Sequence, residues 1–323
     1  MSVFSERKPH YGPPDAALAP RYTGIRTFAR CPHATDWANA DVAVLGVPFD
    51  TATSYRPGAR FGPAAIRDQS QLIRPWHPAL EVDVFAALSV LDGGDLAVTP
   101  GNAARTAEQI HAGLRPVLEA GATPLVLGGD HSIVLGELRA QAERHGPVGV
   151  VLLDAHADTW DEYYGERYFH GTPFRRALEE GLIDPRRSLL AGMRGPLYAA
   201  SDLDAPREWG FEIVTCDELR ALTPERYGRR VRERIGDGPA FLSFDVDVLD
   251  PAFAPGTGTP EVAGLLPHEA VAFLRALAGI RFSGFDVVEV SPQFDGPGQV
   301  TALHAAAIGF ELLALCAVAD ARG

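Results

Sequence analysis

The chain has 323 residues, 46% of them hydrophobic, and carries 29 Lys and Arg against 42 Asp and Glu, a formal net charge of −13. That apolar share supports a large core and excludes wholesale disorder. The acidic balance argues against a polyanionic partner, so neither nucleic acid nor an anionic membrane surface is expected. The three cysteines, Cys31, Cys216 and Cys316, are scattered and form no CxxC pair, which argues against a disulfide framework and a thiolate zinc site. The N-terminus has no apolar core of signal-peptide length, and no run of about 18 apolar residues is read anywhere, so no membrane span is expected. A cytoplasmic protein is the expectation.

Residues 1–35 are rich in Pro and Arg without periodicity and read as an N-terminal arm or surface wrap. From 36 to 323 a single domain is expected. Short apolar runs recur at Val42–Val47, Leu88–Leu91, Pro124–Leu127, Val148–Leu153, Ser188–Leu190, Glu212–Val214, Ala240–Phe244 and Gly284–Val290. Helical spacing lies between them at Ala103–Ala120, Ile133–His145, Pro173–Glu180, Asp217–Ile235, Pro267–Ala278 and Thr301–Ala317. Buried strands alternating with helices predict an α/β fold with a parallel sheet covered on both faces. Ligands in such folds bind at the carboxyl ends of the strands.

Those ends are acidic and rich in histidine. Gly128-Gly129-Asp130-His131-Ser132 follows the third run; its glycines permit a tight turn, and Asp130 or Ser132 suits a helix cap. Asp154-Ala155-His156-Ala157-Asp158 follows the fourth, and in extended chain its three polar side chains share one face. Asp245-Val246-Asp247 repeats that spacing after the seventh. Paired carboxylates this close raise each other's pKa or require a cation. His131, Asp154, His156, Asp158, Asp245 and Asp247 together offer two imidazoles and four carboxylates, a charge that suits two divalent ions in a hydroxide-generating centre. The oxygen-rich set fits Mn²⁺, with Fe²⁺, Co²⁺ and Zn²⁺ as alternatives. His170, in a polar aromatic loop, is a candidate proton donor to a leaving amine. Glu289 ends the last strand and is a candidate partner for a planar cation. Asp250, before Pro251, reads as a turn former, and the Pro255–Pro260 stretch as a pocket wall.

GGDHS (128–132), DAHAD (154–158), SFDVDVLDPAFAPGTGTPE (243–261) and VEVSP (288–292) resemble the ureohydrolase superfamily of arginases and agmatinases. SYRPGARFGP (54–63) and HGTPFRRA (170–177) are similar to its agmatinase branch, which includes guanidino-acid hydrolases. The resemblance implies a three-layer α/β/α fold with an eight-stranded, mostly parallel sheet. It also implies two Mn²⁺ ions, trimers or hexamers, and hydrolysis of a guanidino group to urea and an amine. By the same resemblance, His131, Asp154, Asp158 and Asp245 hold one metal, and Asp154, His156, Asp245 and Asp247 the other, with Asp154 and Asp245 bridging. Glu289 then holds the guanidinium, Asp158 relays a proton and His170 protonates the amine.

Ala157, Thr159 and Trp160 depart from the arginase form of the second motif, which argues against arginine as substrate and sets Trp160 among the expected substrate contacts. Asp161, Glu162 and Glu166 outnumber Arg167 in the adjoining loop, which leans towards a cationic tail. Agmatine is therefore the expected small cationic substrate, and a guanidino acid such as 4-guanidinobutyrate the alternative. A metal-binding pseudoenzyme and a binuclear amidase are the rival readings.

Overall fold

The apolar runs pair with one another because each is too short and too hydrophobic to stand alone. In the computed structural model, which describes residues 9–320, the strands are β1 (Val42–Gly46), β2 (Trp76–His77), β3 (Val82–Asp83), β4 (Val90–Asp95), β5 (Thr123–Leu127), β6 (Gly149–Leu153), β7 (Leu189–Met193), β8 (Glu212–Thr215), β9 (Ala240–Asp245) and β10 (Gly284–Val288). β2 and β3 make a small antiparallel hairpin. The other eight form one sheet in the order β4-β1-β5-β10-β9-β6-β7-β8, with every pairing parallel.

The helices are α1 (Gly62–Gln69), α2 (Val84–Ala87), α3 (Ala103–Glu119), α4 (Val134–His145), α5 (Pro173–Glu179), α6 (Ser201–Trp209), α7 (Cys216–Ala221), α8 (Pro224–Ile235), α9 (Pro267–Arg275) and α10 (Val300–Asp320). Alternation along the strands divides the core between two layers of them. Val42 and Val44 join a cluster with Val231 of α8, Leu274 of α9 and Leu312 of α10. Ala43 and Leu45, pointing the other way, pack with Ile110 and Leu114 of α3. Val150 and Leu152 meet Leu138 of α4 and Phe174 of α5. The result is the expected three-layer α/β/α arrangement.

Several boundaries differ from the sequence expectation, each for a local reason. The helix expected over Asp217–Ile235 is two: a Thr215–Glu218 capping box starts α7, and Thr223 caps α8 with Pro224 in its first turn, where the missing N–H costs nothing. α1, α2 and α6 were not expected; α2 has only four residues. The last strand stops at Val288, two residues early, because Glu289 takes a φ of 64°.

Contrary to the sequence expectation, α10 is long and apolar enough to cross a bilayer, although His304 and Glu311 interrupt it. The fold explains its hydrophobicity differently: most of it is buried, and Glu311 is bound by Arg275 of α9 at 2.6 Å and by His77 at 2.9 Å. From Pro9 onward the expected arm lies on its own chain, and residues 1–8 fall outside the described residues. The Tyr11 hydroxyl donates to Asp36 at 2.8 Å, and the Phe28 ring is fully buried in the core.

Candidate metal centre and substrate pocket

β5, β10, β9 and β6 are neighbours at the middle of the sheet, and each sequence motif lies at the carboxyl end of one of them. This topology brings together residues more than a hundred positions apart.

After β5 the chain turns sharply between the ends of β1 and β10. A Cβ on Gly129 would lie 1.9 Å from the Phe49 carbonyl oxygen, so only glycine fits. Asp130 fulfils the capping role: its carboxylate accepts from the Ser132 amide at 3.1 Å and from the Ala52 amide at 3.0 Å. Burial, reinforced by repulsion from Glu289, raises its pKa to about 7. His131 is then aimed along the strand ends. Its Nδ1 lies 2.9 Å from Asp158 Oδ2, 3.1 Å from Asp154 Oδ2 and 3.4 Å from Asp245 Oδ2.

The residues after β6 do not continue as an extended strand. Asp158 takes a φ of 50°, so the simple alternation expected for Asp154, His156 and Asp158 does not describe them. They nevertheless converge: backbone amides fix Asp154 and its neighbour Asp247, and Asp158 turns to His131 Nδ1 at 2.9 Å. Asp154 Oδ1 accepts from the His156 amide at 2.6 Å, and Asp247 Oδ1 from the Ala155 amide at 3.0 Å. Asp247 likewise lies beyond its strand, in a 3₁₀ turn that Asp245 Oδ1 caps by accepting from the Asp247 amide at 2.8 Å.

Two overlapping groups result, His131–Asp154–Asp245 and Asp154–His156–Asp247, each with ligand atoms close enough to hold one ion. Asp154 belongs to both, with one oxygen turned to each histidine. Asp245, expected to bridge as well, belongs to the first group only; its Oδ1 accepts from the Asp247 amide.

His131 Nδ1, Asp154 Oδ2 and Asp247 Oδ2 are buried and face only the charged groups of the cluster itself, with no well-directed hydrogen bond. Buried polar atoms are rarely left so. Burial pushes Asp245 well above the ordinary carboxylate range, and Asp247 and Asp154 push the same way. Burial, with repulsion from Asp154, also lifts Asp247 to about 6. Imidazole and carboxylate atoms arranged in this way fit a pair of divalent cations.

Glu289 projects into the same mouth, as expected. Its Oε1 accepts from the His131 amide at 2.9 Å and lies 3.0 Å from His170 Nδ1, while Oε2 is buried with no partner. No arginine pairs with it among the described residues. The other His170 nitrogen, Nε2, takes the Ser54 amide at 3.0 Å and faces the Ser54 hydroxyl at 2.8 Å. Sequence reasoning missed Ser54, whose only signal was its place in the 54–63 motif. Burial opposes the His170 imidazolium, but Glu289, Asp158 and Asp130 outweigh it and raise the pKa above the ordinary histidine value.

These groups open into a cavity of about 520 Å³. Trp160 lines it, with its ring 5.1 Å from Tyr163 and 5.6 Å from Tyr198. Thr259 and Pro260, from the expected wall, line it as well. Asp161, Glu162 and Glu166 do not: all three are exposed, and Asp161 pairs with Arg176 at 2.5 Å. The charged residues on the outer wall are instead Arg56, Arg194, Asp202 and Glu261. Arg194 is engaged by backbone carbonyls, including those of Asp247 at 2.6 Å and Glu261 at 2.8 Å. The Arg56 guanidinium sits 5.4 Å from the Tyr55 ring centroid and 5.2 Å from that of Phe294.

Residues 40–315 match the model of the arginase family. A guanidinopropionase of Pseudomonas aeruginosa is 46% identical over 97% of this chain and 98% of its own length. The mitochondrial agmatinase of Gallus gallus is 44% identical over 93% of this chain and 88% of its own. The solved structure of proclavaminate amidinohydrolase from Streptomyces clavuligerus, 45% identical, superposes with a TM-score of 0.89, covering 93% of this chain and 100% of the other.

Proposed function

The chain belongs to the arginase family, as an enzyme of its agmatinase-like branch, and on that premise we propose that it hydrolyses a linear guanidino compound to urea and an amine with two Mn²⁺ ions. One observation carries this reading: Glu289, whose buried Oε2 has no partner, lines the same pocket as His156, Asp158, Asp245 and Asp247, four of the six candidate ligands. An acceptor for a planar cation thus stands beside a cation-binding cluster.

His131, Asp154, Asp158 and Asp245 would hold one ion, and Asp154, His156, Asp247 and, by family resemblance, Asp245 the other. When bound, such ions supply Lewis acidity and a water of lowered pKa. The chain's own residues do the rest. Glu289 Oε2 accepts N–H bonds from the guanidinium and orients its plane. Asp158 receives the proton released by the attacking water. Asp158 passes that proton on to the substituted nitrogen, and His170, held by Glu289 through Nδ1, takes up the second water proton on Nε2 once that atom leaves Ser54 and delivers it to the same nitrogen. The bond between the guanidino carbon and the substituted nitrogen breaks, water oxygen ends in urea, and the amine leaves protonated.

For the tail, agmatine is the first reading, on grounds different from the loop acids. Trp160, Tyr163 and Tyr198 offer aromatic faces to a cation, Glu261 lines the same cavity, and Arg194 is engaged elsewhere. Arg56, supported on two rings, favours a second reading, a guanidino acid with a carboxylate tail. Incubation with Mn²⁺ and a panel of agmatine, 4-guanidinobutyrate, 3-guanidinopropionate and arginine tests both. Putrescine and urea from agmatine support the first; urea from the acids alone replaces it with the second.

A further inference from the structure

Behind His131, on the side opposite its ligand-facing Nδ1, a chain of polar groups crosses the centre of the sheet. His131 Nε2 lies 2.9 Å from Ser243 Oγ, and Ser243 Oγ donates to Asp286 Oδ1 at 2.7 Å. The Phe244 amide donates to the same oxygen at 3.2 Å. Ser243 and Asp286 are direct cross-strand partners on β9 and β10, and both are fully buried. A hydroxyl and a carboxylate in the middle of buried strands cost free energy that valine or leucine would not, so they call for a role.

The direction of this chain follows from donor chemistry. A carboxylate only accepts, so the Ser243 hydrogen points to Asp286, and the Ser243 lone pair is left to accept from His131 Nε2–H. The ring proton is thereby fixed on Nε2. Nδ1 keeps its lone pair and faces Asp154, Asp158 and Asp245. We propose that Ser243 and Asp286 are positioning residues that lock His131 in the Nε2–H tautomer, so that occupancy of the cation site built on His131 depends on them. The proposal rests on the reading of His131 as a metal ligand.

The experiment is Mn²⁺ titration of the full chain, with affinity and stoichiometry by calorimetry and the spin state by EPR. The wild type should bind two ions with an exchange-coupled signal. Ser243→Ala should weaken one site by about 10–100-fold and give the signal of an isolated Mn²⁺ at equal protein and metal. Asp286→Asn, whose amide oxygen still accepts from Ser243 and Phe244, should stay close to wild type. Nitrogen-15 NMR of the metal-free wild type, with His131 assigned by substitution, should show Nε2–H. Two ions bound by Ser243→Ala with wild-type affinity would overturn the proposal, as would an Nδ1–H tautomer in the wild type. A wild type that binds no Mn²⁺ would instead overturn the underlying reading of the site.

Discussion

Gly129→Ala probes whether the turn after β5 is what delivers His131. The added Cβ would lie 1.9 Å from the Phe49 carbonyl oxygen and 2.7 Å from that of Val47, whereas real Cβ contacts stay beyond 3.0 Å. Both neighbours are backbone, so no side chain can swing away, and the turn must retreat by about 1.1 Å, the difference between 3.0 and 1.9 Å. Two hydrogen bonds cross the same gap, from the Gly129 amide to Val47 at 2.9 Å and from the Asp130 amide to Phe49 at 2.8 Å. A retreat of that size breaks both, at about 1–3 kcal/mol for each buried group left unpaired. It also misplaces His131 by a similar distance, and a misplacement of about 1 Å costs on the order of 10²-fold in rate. Chemical denaturation and urea release should therefore both fall in Gly129→Ala. Gly296→Ala, where a Cβ meets nothing within 4 Å, should change stability by less than about 0.5 kcal/mol. Wild-type stability and turnover in Gly129→Ala would refute the claim that this close approach positions the site.

His170→Asn should lower kcat by about 10²–10⁴-fold while Mn²⁺ content stays at the wild-type level; unchanged turnover would remove His170 from the proton path. Asp92→Ala takes away the carboxylate that Arg67 grips at 2.8 and 3.0 Å and that the Phe28 amide reaches at 2.7 Å; Arg67 keeps Asp95 at 2.6 Å and the Gly94 carbonyl at 2.9 Å, so the loss is chiefly that of the buried amide left unpaired, about 1–3 kcal/mol, and a loss below about 0.5 kcal/mol would contradict that carboxylate's importance. Tyr227→Phe removes a buried hydroxyl with no partner but keeps the ring against Phe273, and should stabilise the fold by about 1 kcal/mol. Burial raises the Tyr227 pKa above its ordinary 10.0. The unfolded wild type therefore ionises first, and wild-type stability falls as pH rises above that value. The advantage of the Phe variant should widen above pH 10, and a gap that narrows there would count against the burial argument.

The eight sheet strands were legible because each is short and largely apolar and most are ended by Gly, Asp or Pro. The six candidate ligands were legible because polar residues directly after such runs must face the mouth of the sheet. The reason first given for their convergence was only partly right. Alternation assumes extended backbone, yet Asp158 lies in the left-handed region and Asp247 in a 3₁₀ turn; the Ala155 amide aims Asp247 and the pairing with His131 aims Asp158. Ser54 could not be read, since its partner His170 is 116 positions away. Ser243 and Asp286 did leave a trace, as polar residues inside runs otherwise made of Phe, Leu and Val, but they were absorbed into strands. The loop acids misled because charge in a loop says nothing about direction: Asp161 turns to Arg176 rather than to the pocket. Trimeric or hexameric assembly, implied by the resemblance, is a separate proposal that light scattering would test.

The most direct test of the central claim is urea release by the Mn²⁺-loaded protein across the four guanidino compounds. The expected result is urea with one equivalent of amine, putrescine when agmatine is supplied, abolished by Glu289→Gln with both ions still bound. Two ions bound with no urea from any of the four would contradict it.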